Sequence, residues 1–251
     1  MITIITFTNN NTSELNQLAS AISDVDHDQL EWYIKDTSTA VTDLKTLQRL
    51  KDQWDSNVKL TINLERDKSL YNAFNIACMK AQGSHIINFN PDDQLDTVSM
   101  KNVLVSKKYS DYEVIVFPLQ LKGSSRLHQP RAYTNKLLTS GYRSFLDGCA
   151  TSLLFSKTVY DLFDGFNEKY KVSSDLDFML KICKNNNRLS FYYPEFPVGS
   201  YGMDGISAQL NIRQFKEILH IYYRNLGLFP ALFLTARAII GRVRTKVLRL
   251  V

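Results

Sequence analysis

The first 118 residues alternate between short apolar runs typical of strands and longer runs whose apolar residues recur every three or four positions, as in helices. This alternation is the pattern of an α/β fold, in which helices cover a mostly parallel sheet. The predicted strands are residues 2–7, 30–35, 58–63, 84–89 and 113–119, and the predicted helices between them are residues 13–23, 42–52, 69–82 and 98–108. This half of the chain therefore has the organisation of a nucleotide-binding layer.

The next part of the chain is less regular. Residues 122–142 are polar and contain Gly123 and Pro130, which predicts a loop over the sheet. A strand at 152–155, a helix opening at the acidic run 173–177, and a strand at 189–193 follow. A glycine-containing irregular segment, residues 199–207, completes a catalytic-type domain that we place at residues 1–210.

Residues 211–251 form a predicted helical, amphipathic and basic segment. From Ile218 to Val251 there are six basic residues and no acids. Its apolar stretch is shorter than the roughly 20 residues that span a bilayer, so the pattern favours a helix lying on a membrane surface. On the apolar pattern alone, a final helix packed on the protein's own core fits equally well, and it is the absence of acids that favours the membrane, because anionic headgroups attract basic residues. The apolar face consists of Leu232, Phe233, Ala236, Ile239, Ile240, Val243 and Val247, and Arg242, Lys246 and Arg249 take the other side.

Charge and motifs exclude several classes of function. The chain carries a net charge of +5, and the basic segment accounts for it, so the rest is near neutral, unlike a nucleic-acid binder. No Gly-x-Gly-x-x-Gly and no basic glycine-rich loop follows the first strand, which disfavours a nicotinamide dehydrogenase and a nucleotidyltransferase. Three widely spaced cysteines and no visible export signal predict reduced thiols and a cytoplasmic location.

Asn90, Pro91, Asp92 and Asp93 directly follow the predicted strand 84–89. The carboxyl edge of an open α/β sheet is where ligands bind, and paired carboxylates suit Mg²⁺ or Mn²⁺ beside phosphate oxygens. The same acids are equally suited to capping a helix that begins near Thr97.

Three further features accompany this pair. Asp36 ends the second strand, where it can accept a nucleobase N–H or close a turn. The segment 66–75 opens the helix before the Asp92–Asp93 strand, although Tyr71 and Phe74 have a spacing typical of core residues. Asp175 lies at a helix start as a candidate general base; it is also a plausible cap, and Asp177 competes for its role.

In their order along the chain, these motifs resemble the family 2 inverting glycosyltransferases of the GT-A fold, especially those that build bacterial polysaccharides such as O-antigen, capsule and colanic acid. The resemblance covers residues 1 to about 210. It rests on Ile4-Ile5-Thr6-Phe7-Thr8-Asn9-Asn10, Trp32-Tyr33-Ile34-Lys35-Asp36-Thr37-Ser38-Thr39, Asp67-Lys68-Ser69-Leu70-Tyr71-Asn72-Ala73-Phe74-Asn75, Phe89-Asn90-Pro91-Asp92-Asp93 and Ser174-Asp175-Leu176-Asp177-Phe178.

The resemblance implies a GT-A (Rossmann-like) sheet. It also implies the transfer of a sugar, with inversion, from a nucleoside-diphosphate sugar, of which a UDP-sugar is the first expectation. The acceptor would be a lipid-linked saccharide at the cytoplasmic face of the membrane. The resemblance further implies Asp175 as the base and a Mn²⁺ or Mg²⁺ cofactor ligated by Asp93, with Asp92 at the ribose or in the metal shell. A homo-oligomer is compatible with the sequence. The donor pocket would be formed by Phe7, Asn9, Asp36, Asp67, Tyr71, Asn75, Asn90 and Asp92.

The chain departs from the family pattern at several positions. Asn90 replaces the first aspartate of the metal motif, and Asn9 replaces a common tyrosine. Residues 148–151 lack the family's His-Gln pair, for which His128 is a weak substitute, and Asp204 replaces the first glycine of a Gly-Gly-Ile-Ser loop. These departures leave an alternative open, a non-catalytic nucleotide-sugar-binding module that regulates a partner.

Overall fold

The computed structural model describes residues 1–124, 126–130, 152–202 and 212–236. These residues form a mixed α/β fold around a central, mostly parallel sheet, and the predicted fold class is confirmed. The sheet contains strands β1 (Ile2–Thr8), β2 (Leu30–Asp36), β3 (Lys59–Asn63), β4 (His85–Asn88), β6 (Val114–Val116), β9 (Leu153–Ser156) and β10 (Phe191–Tyr192). Their order across the sheet is β10-β6-β9-β4-β1-β2-β3.

The four strands β4, β1, β2 and β3 run parallel to one another, whereas β9 is antiparallel to both of its neighbours. The helices α1 (Leu15–Val25), α2 (Val41–Asp52), α3 (Leu70–Lys80) and α4 (Thr97–Ser106) connect the first half, close to the predicted bounds. Two later helices are α5 (Lys157–Leu162) and α6 (Ser174–Lys184).

A second, smaller sheet was not predicted from the sequence. Strands β5 (Gln94–Leu95), β7 (Leu119–Leu121), β8 (Leu127–His128) and β11 (Gly199–Tyr201) form it in the order β5-β11-β7-β8. The single predicted strand 113–119 is in fact divided between the two sheets, because β6 belongs to the first and β7 to the second. The small sheet lies directly after the carboxyl end of β4 and thereby brings residue 202 to the acidic turn.

The central sheet has a hydrophobic core on each side, as the period-2 alternation along β2 requires. Trp32 and Ile34 belong to the core that contains α1 and α4. Tyr33 belongs to the core that contains α3, α6 and the C-terminal helices. Two charged residues of the same strand, Glu31 and Lys35, are also buried.

The C-terminal helices pack on the body of the protein. Helix α7 (Ile212–Leu226) places Ile218, Ile221 and Tyr222 in the same core as α3 and α6. Gly227, at φ +88°, ends this helix in a conformation that favours glycine, and helix α8 extends from 228 to the last described residue, 236. Within the described residues, α7 thus shares a core with the domain that we place at residues 1–210, and the boundary at residue 210 stays a prediction.

Helix α8 buries one face and exposes another. Its Ala231 and Leu234 belong to the core, whereas four large apolar side chains are exposed. None of the described helices has the length and apolar character to cross a bilayer. The exposed residues are Leu228, Phe229, Leu232 and Phe233.

Candidate active site

The carboxyl ends of β1, β2 and β4 meet at one edge of the central sheet. Ile5 on β1 is paired with Asn88 on β4, and Thr8 is paired with Asp36 on β2. The residues that follow these strands therefore converge, as expected at the ligand-binding edge of a parallel α/β sheet.

Residues 90–93 form a tight turn after β4. The Asp93 N–H donates to the carbonyl oxygen of Asn90 at 3.1 Å, and the Asn90 N–H donates to Asp93 Oδ2 at 2.7 Å. Asp96 caps helix α4 by accepting the Ser99 N–H at 2.7 Å. The alternative in which Asp92 and Asp93 cap this helix is therefore wrong. Neither carboxylate is needed as the helix cap.

The two aspartates of this turn have different environments. Asp93 is buried, and its Oδ1 accepts the N–H of Gly202 at 2.9 Å. Burial raises the pKa of Asp93 to about 6, and the nearby Asp92 charge contributes in the same direction. Asp92 is only partly buried. The Asp93 carboxylate thus accepts main-chain N–H groups from Asn90 and Gly202, whereas the Asp92 carboxylate is more accessible.

Gly202 lies directly against Asp92. A Cβ atom added at this glycine would lie 2.0 Å from Asp92 Oδ2, so any side chain here would displace the Asp92 carboxylate from its present position. Lys122 also reaches the turn, since its Nζ donates to the Asp92 carbonyl at 3.1 Å.

The donor atoms of the turn are consistent with a divalent cation that binds together with a diphosphate. Among the residues described, no group of three or more His, Cys, Asp or Glu side chains is arranged to hold a metal ion. However, Mg²⁺ typically takes one or two protein carboxylates and completes its shell with phosphate oxygens and water. Asp92, Asp93 and the Asn90 amide supply hard oxygen atoms of this kind.

Asp36 is almost fully buried and closes the loop after β2. Its Oδ1 accepts hydrogen bonds of 2.6 Å from both the Thr8 and the Ser38 hydroxyls, and its Oδ2 accepts the Ser38 N–H at 3.0 Å. The turn reading of Asp36 is therefore confirmed by its contacts. Asn9, by contrast, is exposed at the edge of the site.

Lys35 connects Asp36 with Asp67. Its side chain is fully buried, and its Nζ lies 3.2 Å from Asp67 Oδ2. The same ammonium group donates to the carbonyl oxygens of Asp36 and Glu65. Asp67 is thereby held at the carboxyl edge of β2 by a buried ion pair that the sequence analysis did not predict.

Tyr71 and Asp175 contact each other directly. The Tyr71 hydroxyl lies 2.8 Å from the carbonyl oxygen of Val172 and 3.1 Å from Asp175 Oδ1, so it can donate to either acceptor. Burial raises the pKa of Asp175, which is the direction that makes a carboxylate a stronger base. The structure places Tyr71 beside the candidate base, whereas the sequence analysis assigned it to the nucleotide pocket.

Asp175 and Asp177 differ in their partners. Asp177 Oδ2 forms an ion pair with Lys181 at 3.3 Å, and Asn225 donates to its Oδ1 at 3.4 Å. Asp175 has the Tyr71 hydroxyl and the N–H of Leu176 as its partners. Ser173, not Asp175, is the N-cap residue of α6. These contacts favour Asp175 over Asp177 as the base.

Aromatic contacts connect Asp175 to the carboxyl end of β1. Phe7 packs on Phe74 with ring centroids 4.1 Å apart, and Tyr71 stacks near Phe74 at 6.0 Å. The ring of Phe166 contacts both Tyr71 and Phe74. Phe7 is partly exposed, so the end of this aromatic row is accessible at the edge where the acidic turn lies.

Asn75 anchors a loop. Its Oδ1 accepts the Tyr160 hydroxyl and the Phe166 N–H, each at 3.0 Å, and its Nδ2 donates to the Phe166 carbonyl and to Glu168. Both polar atoms of Asn75 thus bind the segment that precedes α6, a contact that fits a supporting position beside the donor pocket, and its role there stays a prediction.

Three residues of the site were missed by sequence reasoning. Lys35 had a detectable signal, since a lysine inside a strand predicted to be buried needs a partner for its charge. Gly202 lies in the irregular segment 199–207, but only the tertiary contact with Asp92 reveals its purpose. Asn10, at φ +57°, joins the loops after β1 and β2 by accepting the N–H groups of Thr39 and Ala40.

Four predicted features lie outside the described residues. They are the part of the predicted loop from 131 to 142, the segment 148–151, where relatives have a His-Gln pair, the loop that contains Asp204 and Gly205, and residues 237–251 of the predicted basic amphipathic helix.

The fold is shared with solved glycosyltransferase structures. S. aureus TarS in complex with UDP superposes with a TM-score of 0.67 at 14% sequence identity, over 89% of this chain and 64% of that chain. TarS with UDP-GlcNAc gives 0.66 at 13% identity, over 88% of this chain and 65% of that chain. The mannosyltransferase PcManGT from Pyrobaculum calidifontis, in complex with GDP-Man and Mn²⁺, gives 0.66 at 14% identity, over 97% of this chain and 75% of that chain.

This chain thus spans less than two thirds of the length of the TarS structures. No protein-family model and no curated protein matches its sequence. At such identities the likeness establishes a GT-A-like fold, and the chemistry has to be argued from the site.

Proposed function

We propose that the protein is an inverting glycosyltransferase that transfers a sugar from a nucleoside-diphosphate sugar to a hydroxyl group of a lipid-linked saccharide. One observation carries this proposal: Asp175, whose pKa is raised by burial, is held by Tyr71 at the ligand-binding edge of a GT-A-like sheet. The row of aromatic side chains from Tyr71 to Phe7 connects this base to the edge where the acidic turn lies.

The proposed reaction is a single displacement. Asp175 accepts the proton of the acceptor hydroxyl as the oxygen attacks the anomeric carbon. The new carbon–oxygen bond forms on the face opposite the bond to the diphosphate, which breaks and releases the nucleoside diphosphate. The configuration at the anomeric carbon is inverted, and Asp175 ends the step protonated.

Asp92 and Asn90 would hold a Mn²⁺ or Mg²⁺ ion, which when bound neutralises negative charge on the leaving diphosphate. The family resemblance implies Asp93 as the first ligand. We assign the ligand role to Asp92 instead, because both oxygens of Asp93 accept main-chain hydrogen bonds and Asp92 is the more accessible carboxylate. Asp93 then shapes the turn that presents Asp92.

The donor would bind along the edge between the acidic turn and the partly exposed ring of Phe7. TarS has been solved with UDP and UDP-GlcNAc, and PcManGT with GDP-Man and Mn²⁺, so uridine and guanosine diphosphate sugars are the donors to test first. Of these we favour a UDP-sugar. Asp67 lies beside this edge through its ion pair with Lys35. Asp36 would stabilise the base-binding loop after β2 and would not contact the base itself, because its carboxylate already accepts hydrogen bonds from the Thr8 and Ser38 hydroxyls.

The test uses the full chain with a panel of nucleoside diphosphates and their sugars, with and without Mn²⁺. One nucleotide should raise the melting temperature in a metal-dependent way, because a ligand that binds only the native state stabilises it. Asp175→Asn should keep this shift and lose donor turnover by a factor of about 10² or more, the usual contribution of a general base.

Asp177→Asn is the matched control, because it changes an acid of the same helix that is paired with Lys181, and it should retain turnover. No stabilisation by any nucleoside diphosphate would contradict the proposal as a whole. Nucleotide binding without turnover by the unmodified protein would instead support the non-catalytic module.

We further propose that helix α8 places the enzyme on the cytoplasmic face of an anionic membrane, where a lipid-linked acceptor for surface polysaccharide synthesis would be found. Its exposed face carries Phe229 and Phe233, which are 84% and 62% exposed. The sequence from Ile218 onward contains six basic residues and no acids. Apolar side chains beside positive charge are complementary to anionic headgroups over acyl chains.

Flotation with vesicles tests this membrane contact. The protein should float with phosphatidylglycerol vesicles and not with pure phosphatidylcholine vesicles. Phe229→Ser with Phe233→Ser should abolish flotation, whereas Val98→Ser with Val105→Ser, which removes similarly exposed apolar groups from α4, should leave it unchanged. Equal flotation of both double variants would contradict the assignment of this surface.

A further inference from the structure

The carboxylate of Glu217 accepts three consecutive main-chain hydrogen bonds. The N–H of Lys171 donates to Oε1 at 2.8 Å, and the N–H groups of Val172 and Ser173 donate to Oε2 at 3.0 and 3.1 Å. Hydrogen bonds to a charged acceptor are stronger than those between neutral groups. One side chain of helix α7 therefore fixes the backbone of three residues that lie more than 40 positions earlier in the chain.

These three residues lead directly into helix α6, whose second residue is Asp175. The N-cap residue Ser173 makes no side-chain capping bond, so the entry to the helix lacks its most common local support. On the other side of the same segment, the Tyr71 hydroxyl approaches the Val172 carbonyl oxygen at 2.8 Å. Val172 is thus held through its N–H by α7, and its carbonyl oxygen is one of the two acceptors within reach of the Tyr71 hydroxyl on α3.

Helix α7 also contacts this region through other side chains, among them Arg224, which interacts with Tyr170. His220 packs against the ring of Tyr170, with centroids 6.1 Å apart, and Asn225 donates to Asp177 at 3.4 Å. Glu217 provides the charged contact to the backbone next to the base.

We propose that Glu217 is a positioning residue for the base: its carboxylate sets the backbone of residues 171–173 and thereby the placement of Asp175 at the acceptor hydroxyl. This inference rests on the proposed role of Asp175. It extends the active site to helix α7, which the sequence analysis had placed in a separate C-terminal segment.

The charge of Glu217 also has an electrostatic effect that distinguishes positioning from general structural support. Burial is the main cause of the raised pKa of Asp175, and the negative charge of Glu217 adds to it. Tyr71 from α3 and Glu217 from α7 face Asp175, and Asp177 lies on the same helix. Tyr71 is a neutral donor, since burial and the Asp175 charge raise its own pKa. Removal of the Glu217 charge should therefore lower the pKa of Asp175.

The experiment compares Glu217→Gln with Lys216→Gln, an exposed neighbour on the same helix, in a transfer assay across pH. Glu217→Gln should lower kcat by at least tenfold with the donor KM unchanged, and should move the acid limb of the kcat profile to lower pH. Glu217→Asp keeps the charge on a shorter side chain, so it should lose kcat while the acid limb stays in place. Lys216→Gln should match the unmodified protein in kcat and in the position of the acid limb.

Stabilisation of each variant by the nucleotide checks that the variant is folded. Where the acceptor has not been identified, hydrolysis of the donor by water is the measured activity. An unchanged kcat and pH profile in Glu217→Gln would overturn the inference. A loss of nucleotide binding in both Glu217 variants would also overturn it, because it would show a general structural role. Full activity of Asp175→Asn would overturn the proposed base itself, whatever the result at Glu217.

Discussion

The hydroxyl of Tyr71 lies 3.1 Å from Oδ1 of Asp175, although the two residues are 104 positions apart in the sequence. Tyr71 belongs to the first turn of α3, and Asp175 to the first turn of α6. The contact joins the beginnings of two helices at the edge of the sheet where the acidic turn also lies. A candidate base therefore receives its orientation from a helix of the nucleotide-binding half.

Tyr71→Phe removes the hydrogen bond to Asp175 and keeps the aromatic packing with Phe74 and Phe166. We expect kcat to fall about tenfold or more, in keeping with the loss of one oriented hydrogen bond at a general base, with little change in donor KM. Tyr160→Phe is the matched control, because its hydroxyl bonds Asn75 and not the base. Equal kcat losses in the two variants would argue against a specific role for the Tyr71 hydroxyl.

Asp92→Asn and Asp93→Asn should have different effects on metal-dependent nucleotide binding. Asp92→Asn should remove the part of the nucleotide-induced melting shift that requires Mn²⁺, because it neutralises the accessible carboxylate. Asp93→Asn should retain most of that part, since Asp93 binds the N–H groups of Asn90 and Gly202. Titrations with Mn²⁺ at fixed nucleotide measure the difference. The opposite ranking would return the ligand role to Asp93.

Gly202→Ala should displace Asp92, since the new Cβ would lie 2.0 Å from its Oδ2. We expect the nucleotide Kd in the presence of Mn²⁺ to rise at least tenfold while the fold is preserved. Gly123→Ala is the control for a glycine in a loop: at φ +79° it incurs a left-handed strain of about 1 kcal/mol but meets no atom within 4 Å. An unaffected Kd in Gly202→Ala would show that the Asp92 side chain is free to move.

Lys35→Met should destabilise the protein strongly, because it leaves the carboxylate of Asp67 without its buried partner. Breaking such a pair costs about 3 kcal/mol in the free energy of unfolding. Lys80→Met breaks a half-exposed pair with Glu65, which water and salt screen, and should cost much less. Urea unfolding measures both values. Addition of Asp67→Asn to Lys35→Met should recover part of the lost free energy of unfolding. If the effects of the two substitutions simply add, Lys35 and Asp67 do not stabilise each other.

The raised pKa of Asp93 makes stability depend on pH in a defined direction. Its folded-state pKa of about 6 lies above the value of 3.8 expected in the unfolded chain. The folded state therefore binds this proton more tightly between those two values, and the free energy of unfolding decreases as pH rises through that window, by about 3 kcal/mol. Asp93→Asn lacks this contribution.

Unfolding of the two proteins between pH 4 and pH 7, in the absence of divalent cations, isolates the effect of Asp93, because other titrating groups largely cancel in the difference. The stability of the unmodified protein relative to Asp93→Asn should fall with increasing pH. A difference that is constant or that rises with pH would show that Asp93 titrates near its ordinary value.

Local pattern was sufficient to predict the α/β layers, because apolar periodicity directly reports which faces of helices and strands are buried. It placed β1, β2, β4 and the four connecting helices within a few residues of their bounds. It did not predict the division of the run 113–119 between two sheets, since strand pairing with β11 is a long-range contact that leaves no local signal. For the same reason it did not predict how α7 packs against α6.

At the site, the sequence by itself determined which chemical groups were present: the Asp92–Asp93 pair after a buried strand, the aspartate at the start of α6, and an apolar, basic C-terminal segment. Only the tertiary structure decided which of these groups is held and which is accessible. Asp93 is buried and accepts main-chain hydrogen bonds, whereas Asp92 is partly exposed. Contacts over more than 40 positions bring Tyr71 to Asp175 and Glu217 to the segment before it. A sequence pattern records residue type and spacing, whereas accessibility and pKa depend on neighbours that only the folded chain supplies.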